Sequence, residues 1–409
     1  VSVPRLTTVL HQELEDLRAS GRAKGKELII ESIKRPSGER GPRYMLKGYT
    51  QEFIKMNSNS YLGMSLRDDL IAAEEKAVHA FGTSPGACRF ISGTHAPHRD
   101  LEKQLARFHD CEDAILFSSA YATMIGTIVS LVSENTIIIS DALNHNCIIN
   151  AIKLSRPKDK KVYKHNDLTE MEAQIRASVG QCGRIVLITD GIFSMRGDNA
   201  DLPAMKEIIS RYDDKFPQNI VLLVDDSHGV GAYGATGRGT VEYTGAGRVD
   251  VLIGTLGKAF GANGGYVAAD ETIITYLREK AITYIYSNPI TVGEAAVVQK
   301  VLEVVNTPAG AERLKHLGDM TRRFRDGIVS MNYETMPGAH PIVPLMVRDT
   351  AKTSSLVMFL RAHGVLATGL NFPVVPDGDQ SIRFQVNADH TALDIDTVLG
   401  VLKAYLDQA

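Results

Sequence analysis

The sequence has no tryptophan, only four cysteines (Cys88, Cys111, Cys147 and Cys182) and 6% aromatic residues. The cysteines stand far apart and none falls in a C-x-x-C pair. That excludes a disulfide framework and a cysteine zinc site as organising devices. No run of apolar residues reaches the roughly 18 needed to span a bilayer. The N-terminal stretch VSVPRLTTVLHQELEDLRASGRAKGKE is charged and has no apolar signal core. A cytoplasmic enzyme with reduced thiols is the expectation. Net charge is only −3, so there is no electrostatic case for nucleic acid or a membrane surface as partner. No metal-ligand spacing, internal repeat or low-complexity tract is visible.

Hydrophobic residues make up 44% and charged residues 23% of 409 residues, the composition of a globular chain of two or three domains. Residues 1–25 place Leu6, Val9, Leu10, Leu14 and Leu17 at helical spacings. Residues 26–50 read as short strands and turns. From there, helices are expected at 67–81, 99–109, 201–212, 271–281 and 352–363. Strands are expected at 113–117, 136–140, 185–189, 341–347 and 381–386.

The chain is organised around residues 220–268. Ile220-Val221-Leu222-Leu223-Val224 is a short apolar, β-branched run that ends on Asp225. A second run, 249–254, leads within four residues to Lys258. Such runs, bounded by turn residues, read as buried parallel strands. In an open α/β sheet the carboxyl ends of parallel strands line the ligand crevice. An acid and a lysine at two such ends suit an aldehyde cofactor. The amine binds the aldehyde, and the carboxylate keeps the ring nitrogen protonated, as pyridoxal 5'-phosphate (PLP) requires. Free lysine titrates near ~10.4, so burial or a neighbouring cation has to lower it before it can serve as a base. Gly257, Ala259 and Gly261 around Lys258 leave room for a flat ring.

Three glycine motifs invite other readings, and each fails on its context. Gly82-Thr83-Ser84-Pro85-Gly86 spells G-x-S-x-G, but a helical stretch precedes it where a nucleophile elbow needs a strand. Gly229-x-Gly231-x-x-Gly234 is separated from its strand by Asp-Asp-Ser-His, so it does not read as a dinucleotide site. Gly257-Lys258-Ala259 lacks the first glycine and the Ser/Thr of a P-loop.

The segment VDDSHGVG…GRG…GTLGKAFGANGGY resembles the α-oxoamine synthases, PLP enzymes of fold type I that condense an amino acid with an acyl-CoA. The resemblance runs from about Asn57 to His390. Within the family it looks most like the branch of 2-amino-3-ketobutyrate CoA ligases, which use glycine and acetyl-CoA. It implies a large domain at 57–292, with a mostly parallel seven-stranded sheet between helices. A smaller α+β domain follows at 293–409, and an N-terminal arm at 1–56 packs on a partner subunit.

The site residues follow from the same resemblance. Lys258 holds PLP, Asp225 faces the ring nitrogen, His228 its O3' and His145 stacks on the ring. Ser119, Ala120 and Tyr121, with Thr255, take the phosphate positions, a small-residue turn entering a helix being a ready anion site. Ser194 matches a serine near the ring hydroxyl. Ser287, in Tyr286-Ser287-Asn288-Pro289, matches a hydroxyl that reaches the partner's phosphate, which implies a homodimer with shared sites. Arg383 and Asn59 match the groups that hold the amino-acid carboxylate, and Arg89 and Phe90 sit in the acyl-pocket loop. The chain departs from the family at Ser60, at Thr83-Ser84-Pro85, at Asn146-Cys147 where Ala-Ser is usual, and at Arg196 where Asp is common. No metal is implied. An 8-amino-7-oxononanoate synthase-like condensation, an aldolase or aminotransferase of the same fold, and a binding protein with a vestigial site are the competing expectations.

Overall fold

The computed structural model describes residues 3–20, 22–23, 25–372 and 374–408. Its centre is a seven-stranded sheet. From one edge to the other the strands are Asp113–Phe117, Gly265–Ala269, Val251–Thr255, Ile220–Asp225, Arg184–Asp190, Thr136–Asp141 and Asp159–Tyr163. All run parallel except Gly265–Ala269, which is antiparallel to both neighbours. Both faces are covered, so successive side chains enter two different cores. Ile185 and Leu187 join one; Val186 and Ile188 join the other. This explains why these strands read as unbroken apolar runs rather than alternating ones.

The expected helices and strands appear within a few residues of their predicted bounds. Asp201 caps the helix Leu202–Tyr212 by accepting from Ala204 N, and Pro203 occupies its first turn. The antiparallel strand Gly265–Ala269 was not foreseen. Its sequence, GYVAA, has a single β-branched residue.

The domain limits shift from those expected. The helix Val292–Val305 packs on the helices Asp68–Phe81 and Ala96–Phe108, so it belongs to the large domain. The smaller domain begins with the helix Pro308–Ser330, which packs on Ala392–Leu406 and Ile342–Met346. That domain holds an antiparallel sheet in which Ser381–Gln385 lies between Ile342–Met346 and Thr368–Leu370. Part of the expected N-terminal arm is built into it as well. Glu52–Lys55 pairs in parallel with Val365–Leu366. Asp394 accepts from Gly41 N at 2.9 Å and pairs with Arg43 at 2.5 Å. Only Pro4–Ala19 stands apart, as a helix with no buried residue. Among the described residues no helix is long and apolar enough to cross a membrane.

Candidate active site

Five chain segments leave the carboxyl edge of the sheet and converge. They bring Lys258, Asp225, His228, His145, Thr255, Ala120 and Tyr121 to one cavity of ≈ 180 Å³, which Asp190 and Cys147 also line. Asp225 ends its strand, and its Oδ1 accepts from Ser227 N at 3.1 Å. Lys258 lies beyond Thr255 on the neighbouring strand. Burial pushes its pKa down to about 8; Asp225 opposes the shift and Arg383 adds to it. A base poised near neutrality is the result.

His228 and His145 reach the cavity by different means. The His228 Nδ1 is 2.7 Å from the Tyr61 hydroxyl. Burial, with the Lys258 charge next, holds this imidazole well below its ordinary value, so it stays neutral. His145 caps the helix Asn146–Leu154, its ring accepting from Cys147 N. Its backbone N–H donates to Asp190 Oδ2 at 3.0 Å. Asn144 fixes this corner: its Nδ2 donates to Ser140 Oγ and Ile188 O, and its Oδ1 accepts from Asp190 N. Asp190 and Asp225 are partners across adjacent strands. Burial first and Asp225 second raise Asp190 well above the usual carboxylate range.

At the start of the helix Ala120–Leu131, Ser119 is the cap and accepts from Ala122 N. The first N–H groups of a helix have no intrahelical partner. Those of Ala120 and Tyr121 belong to that set and lie at the cavity wall, where a phosphate would be held. Thr255, which lines the same cavity, donates through Oγ1 to Gly264 O and accepts there from Gly257 N.

Arg383 projects from the central strand of the small-domain sheet, paired with Pro344 and Thr368. Its Nη2 lies 3.4 Å from Asn59 Oδ1, which also accepts from Gln385 Nε2 at 2.6 Å. The buried Nε has no hydrogen-bond partner. Among the described residues no carboxylate pairs with Arg383. A half-buried guanidinium with a buried, unpartnered Nε favours an anion beside it, and its fork fits a carboxylate at two points.

Four expected positions fall elsewhere. Arg89 does not face a substrate. Its side chain is 1% exposed and paired with Glu102 at 3.0 Å. Glu102 also receives Arg99 and Arg278, so Arg89 is part of a buried ion cluster. Phe90 next to it points outward at 64% exposed, beside Ile91 at 66%. Ser194 lines a second cavity of ≈ 660 Å³, which shares His145 with the first and is walled by Ile149, Met346, Phe372 and Val375. Ser287 is outside both; its Oγ is 3.5 Å from Ser118 Oγ, next to Tyr286 at 78% exposed. Tyr61, Asn144 and Asp190 were missed as site residues, and Cys147 was singled out only as a departure from the family's usual Ala-Ser. The apolar strand before Asp190, ending in an acid as the one before Asp225 does, could have drawn attention to that residue.

The glycine motifs are accounted for locally. A Cβ on Gly229 would lie 2.0 Å from Asp226 Oδ1, so that loop is packed against its own strand end and leaves no room for a pyrophosphate.

The fold is that of the PLP-dependent transferases, fold type I, and the amine of Lys258, the carboxylate of Asp225, two imidazoles and a helix start surround one space. The pattern of the aminotransferase class I and II family matches residues 51–402. The chain is 37% identical over 93% of its length to a 2-amino-3-ketobutyrate coenzyme A ligase of Escherichia coli, covering 92% of it. It is 35% identical over 96% of its length to an 8-amino-7-oxononanoate synthase of Fervidobacterium nodosum, covering 95% of that protein. A solved SPT (serine palmitoyltransferase) variant with PLP superposes with a TM-score of 0.86 at 25% identity, covering 97% of this chain and 96% of that one. The chain belongs to the aminotransferase class I and II family and, within it, to the α-oxoamine synthases, which are PLP-dependent acyltransferases.

Proposed function

We propose that the chain condenses glycine, or another small amino acid, with an acyl-CoA, acetyl-CoA foremost. The product is an α-amino-β-keto acid or the aminoketone left after loss of CO2, and free CoA is released. The observation that carries this reading is Arg383. It is a half-buried cation whose buried Nε has no hydrogen-bond partner; among the described residues no carboxylate pairs with it, it lies beside Asn59, and its charge helps to lower the Lys258 pKa.

Bound PLP withdraws electrons from the amino-acid Cα and so makes its proton removable. The rest falls to this chain's residues. Lys258 holds the cofactor and, once its Nζ is freed, takes the Cα proton; its depressed pKa suits that task. Asp225 would keep the ring nitrogen protonated. His228, neutral and fixed by Tyr61, would donate to the ring oxygen. Arg383 and Asn59 would hold the carboxylate and so orient Cα. His145 would shield the ring from water.

The active unit in this reading is a homodimer. Phe90, Ile91 and Tyr286 are exposed together with the apolar stripe Leu6, Val9, Leu10, Leu14 and Leu17 of the N-terminal helix. Exposed apolar side chains in such number are what an interface would cover. In this reading Ser287, next to Tyr286, would serve the partner's site.

Release of CoA thiol decides the matter. With glycine and acetyl-CoA, thiol appears, and faster than with alanine. An optimum with a longer acyl thioester and alanine moves the assignment to the 8-amino-7-oxononanoate synthase type. Turnover of amino acids without any thioester makes the chain an aminotransferase or aldolase and ends the proposal.

A further inference from the structure

We infer that Cys147 is a positioning residue, whose thiol proton bridges His145 and Asp225. The thiol is buried and lines the same cavity as Lys258. Its Sγ stands 2.9 Å from His145 Nδ1 and 3.6 Å from Asp225 Oδ2. The Nδ1 atom already accepts from the Cys147 backbone N–H at 3.2 Å. That nitrogen therefore carries the lone pair, and the imidazole proton sits on Nε2. A thiol proton is then the only hydrogen available between Sγ and its two acceptors.

The consequence is twofold. His145 takes the Cys147 backbone N–H at Nδ1, which fixes its ring plane, and shares the one thiol proton with Asp225. Asp225 is held at Oδ1 by Ser227 N–H and, when the shared proton lies toward it, at Oδ2 by the thiol, so it is aimed before a cofactor arrives.

A cysteine this close to a histidine invites a different idea, a nucleophile that accepts the acyl group from CoA. The surroundings oppose it. Burial, then the charges of Asp225 and Asp190, push the thiol far up, and the thiolate is the nucleophilic form. Asp225, which would repel a thiolate, is the carboxylate that accepts from the thiol.

The inference rests on Asp225 and Lys258 as the cofactor residues. Lys258→Ala tests that separately: a Lys258→Ala protein that stays yellow removes the site, whatever Cys147 does. For Cys147 itself, three variants of the full chain are compared by PLP dissociation and by the pH midpoint of the visible band of bound PLP. Cys147→Ser keeps a donor and is expected to match the wild type in both. Cys147→Val keeps the volume without the donor, and Cys147→Ala loses both. Each is expected to release PLP about tenfold more readily and to move the midpoint by about half a unit or more. Valine behaving as wild type overturns the inference, and so does serine shifting as far as valine. A third measurement needs no variant. Iodoacetamide applied to the holoenzyme near pH 8, followed by peptide mapping, is expected to label Cys88 and Cys111 and to spare Cys147. Rapid labelling of Cys147 would reveal a thiolate and sink the idea.

Discussion

Single side chains decide the chemistry. Lys258→Ala removes the amine, so purified protein should lose its yellow colour and at least about 10³-fold in kcat/KM; absorbance and initial rates check both. Arg383→Lys keeps the charge but loses the fork. Two charge-assisted hydrogen bonds weakened in this way correspond to roughly 1.5–3 kcal/mol. KM for the amino acid should then rise about 10- to 100-fold, with kcat much less affected; steady-state kinetics would expose an equal fall in kcat as evidence against a binding role. Glu102→Gln is a test of folding rather than catalysis. It leaves the Arg89, Arg99 and Arg278 guanidinium groups without their shared carboxylate. Breaking a buried pair on one side costs about 3–5 kcal/mol, and urea unfolding should show a loss of that order.

Elements carry these side chains to one edge. The strands themselves are fixed by burial on two faces, and their carboxyl ends deliver Asp190, Asp225 and the Lys258 loop. A second layer of charge ties the ends to the surrounding loops. His165 lies between Asp141 and Asp198, at 3.1 Å from each. Burial opposes its charge, but the hydrogen bonds and charges of the two carboxylates outweigh it and raise the pKa to about 9. The folded value exceeds the unfolded one of about 6.5. Its stabilisation is therefore fully present below about pH 6.5 and lost as pH rises through 9. Melting curves should show Tm falling between pH 7 and pH 9.5, and more steeply than in His165→Gln. Asp394 does comparable work between distant segments, capping its own helix through Thr391 N while holding Gly41 and Arg43. It explains why residues 30–55 fold with the C-terminal domain.

The whole molecule is where the apolar surface matters. Phe90→Glu with Tyr286→Glu places two charges on the exposed face beside Ser287. Sedimentation should show the double variant as a monomer with weakened PLP retention. A dimer with normal PLP content would mean that the shared site lies elsewhere.

Much of this was legible without coordinates. The runs 220–225 and 113–117 matched their strands residue for residue, because a strand buried on both faces leaves an unbroken apolar signature. Asp225 and Lys258 were legible because an ionic residue at the end of such a run is conspicuous. Tyr61, Asn144 and Cys147 were not, since a polar residue in a loop looks the same whether it faces water or a cofactor. Arg89 looked like a substrate ligand because a sequence motif does not say which way a side chain turns. The amino-acid order by itself therefore determined the fold class and the acid–lysine pair, both properties of local pattern. Only the tertiary structure decided which groups share a space. Hydrogen-bond partners and counter-ions, such as Glu102 for Arg89 and, among the described residues, none for Arg383, come from segments that are neighbours only after folding.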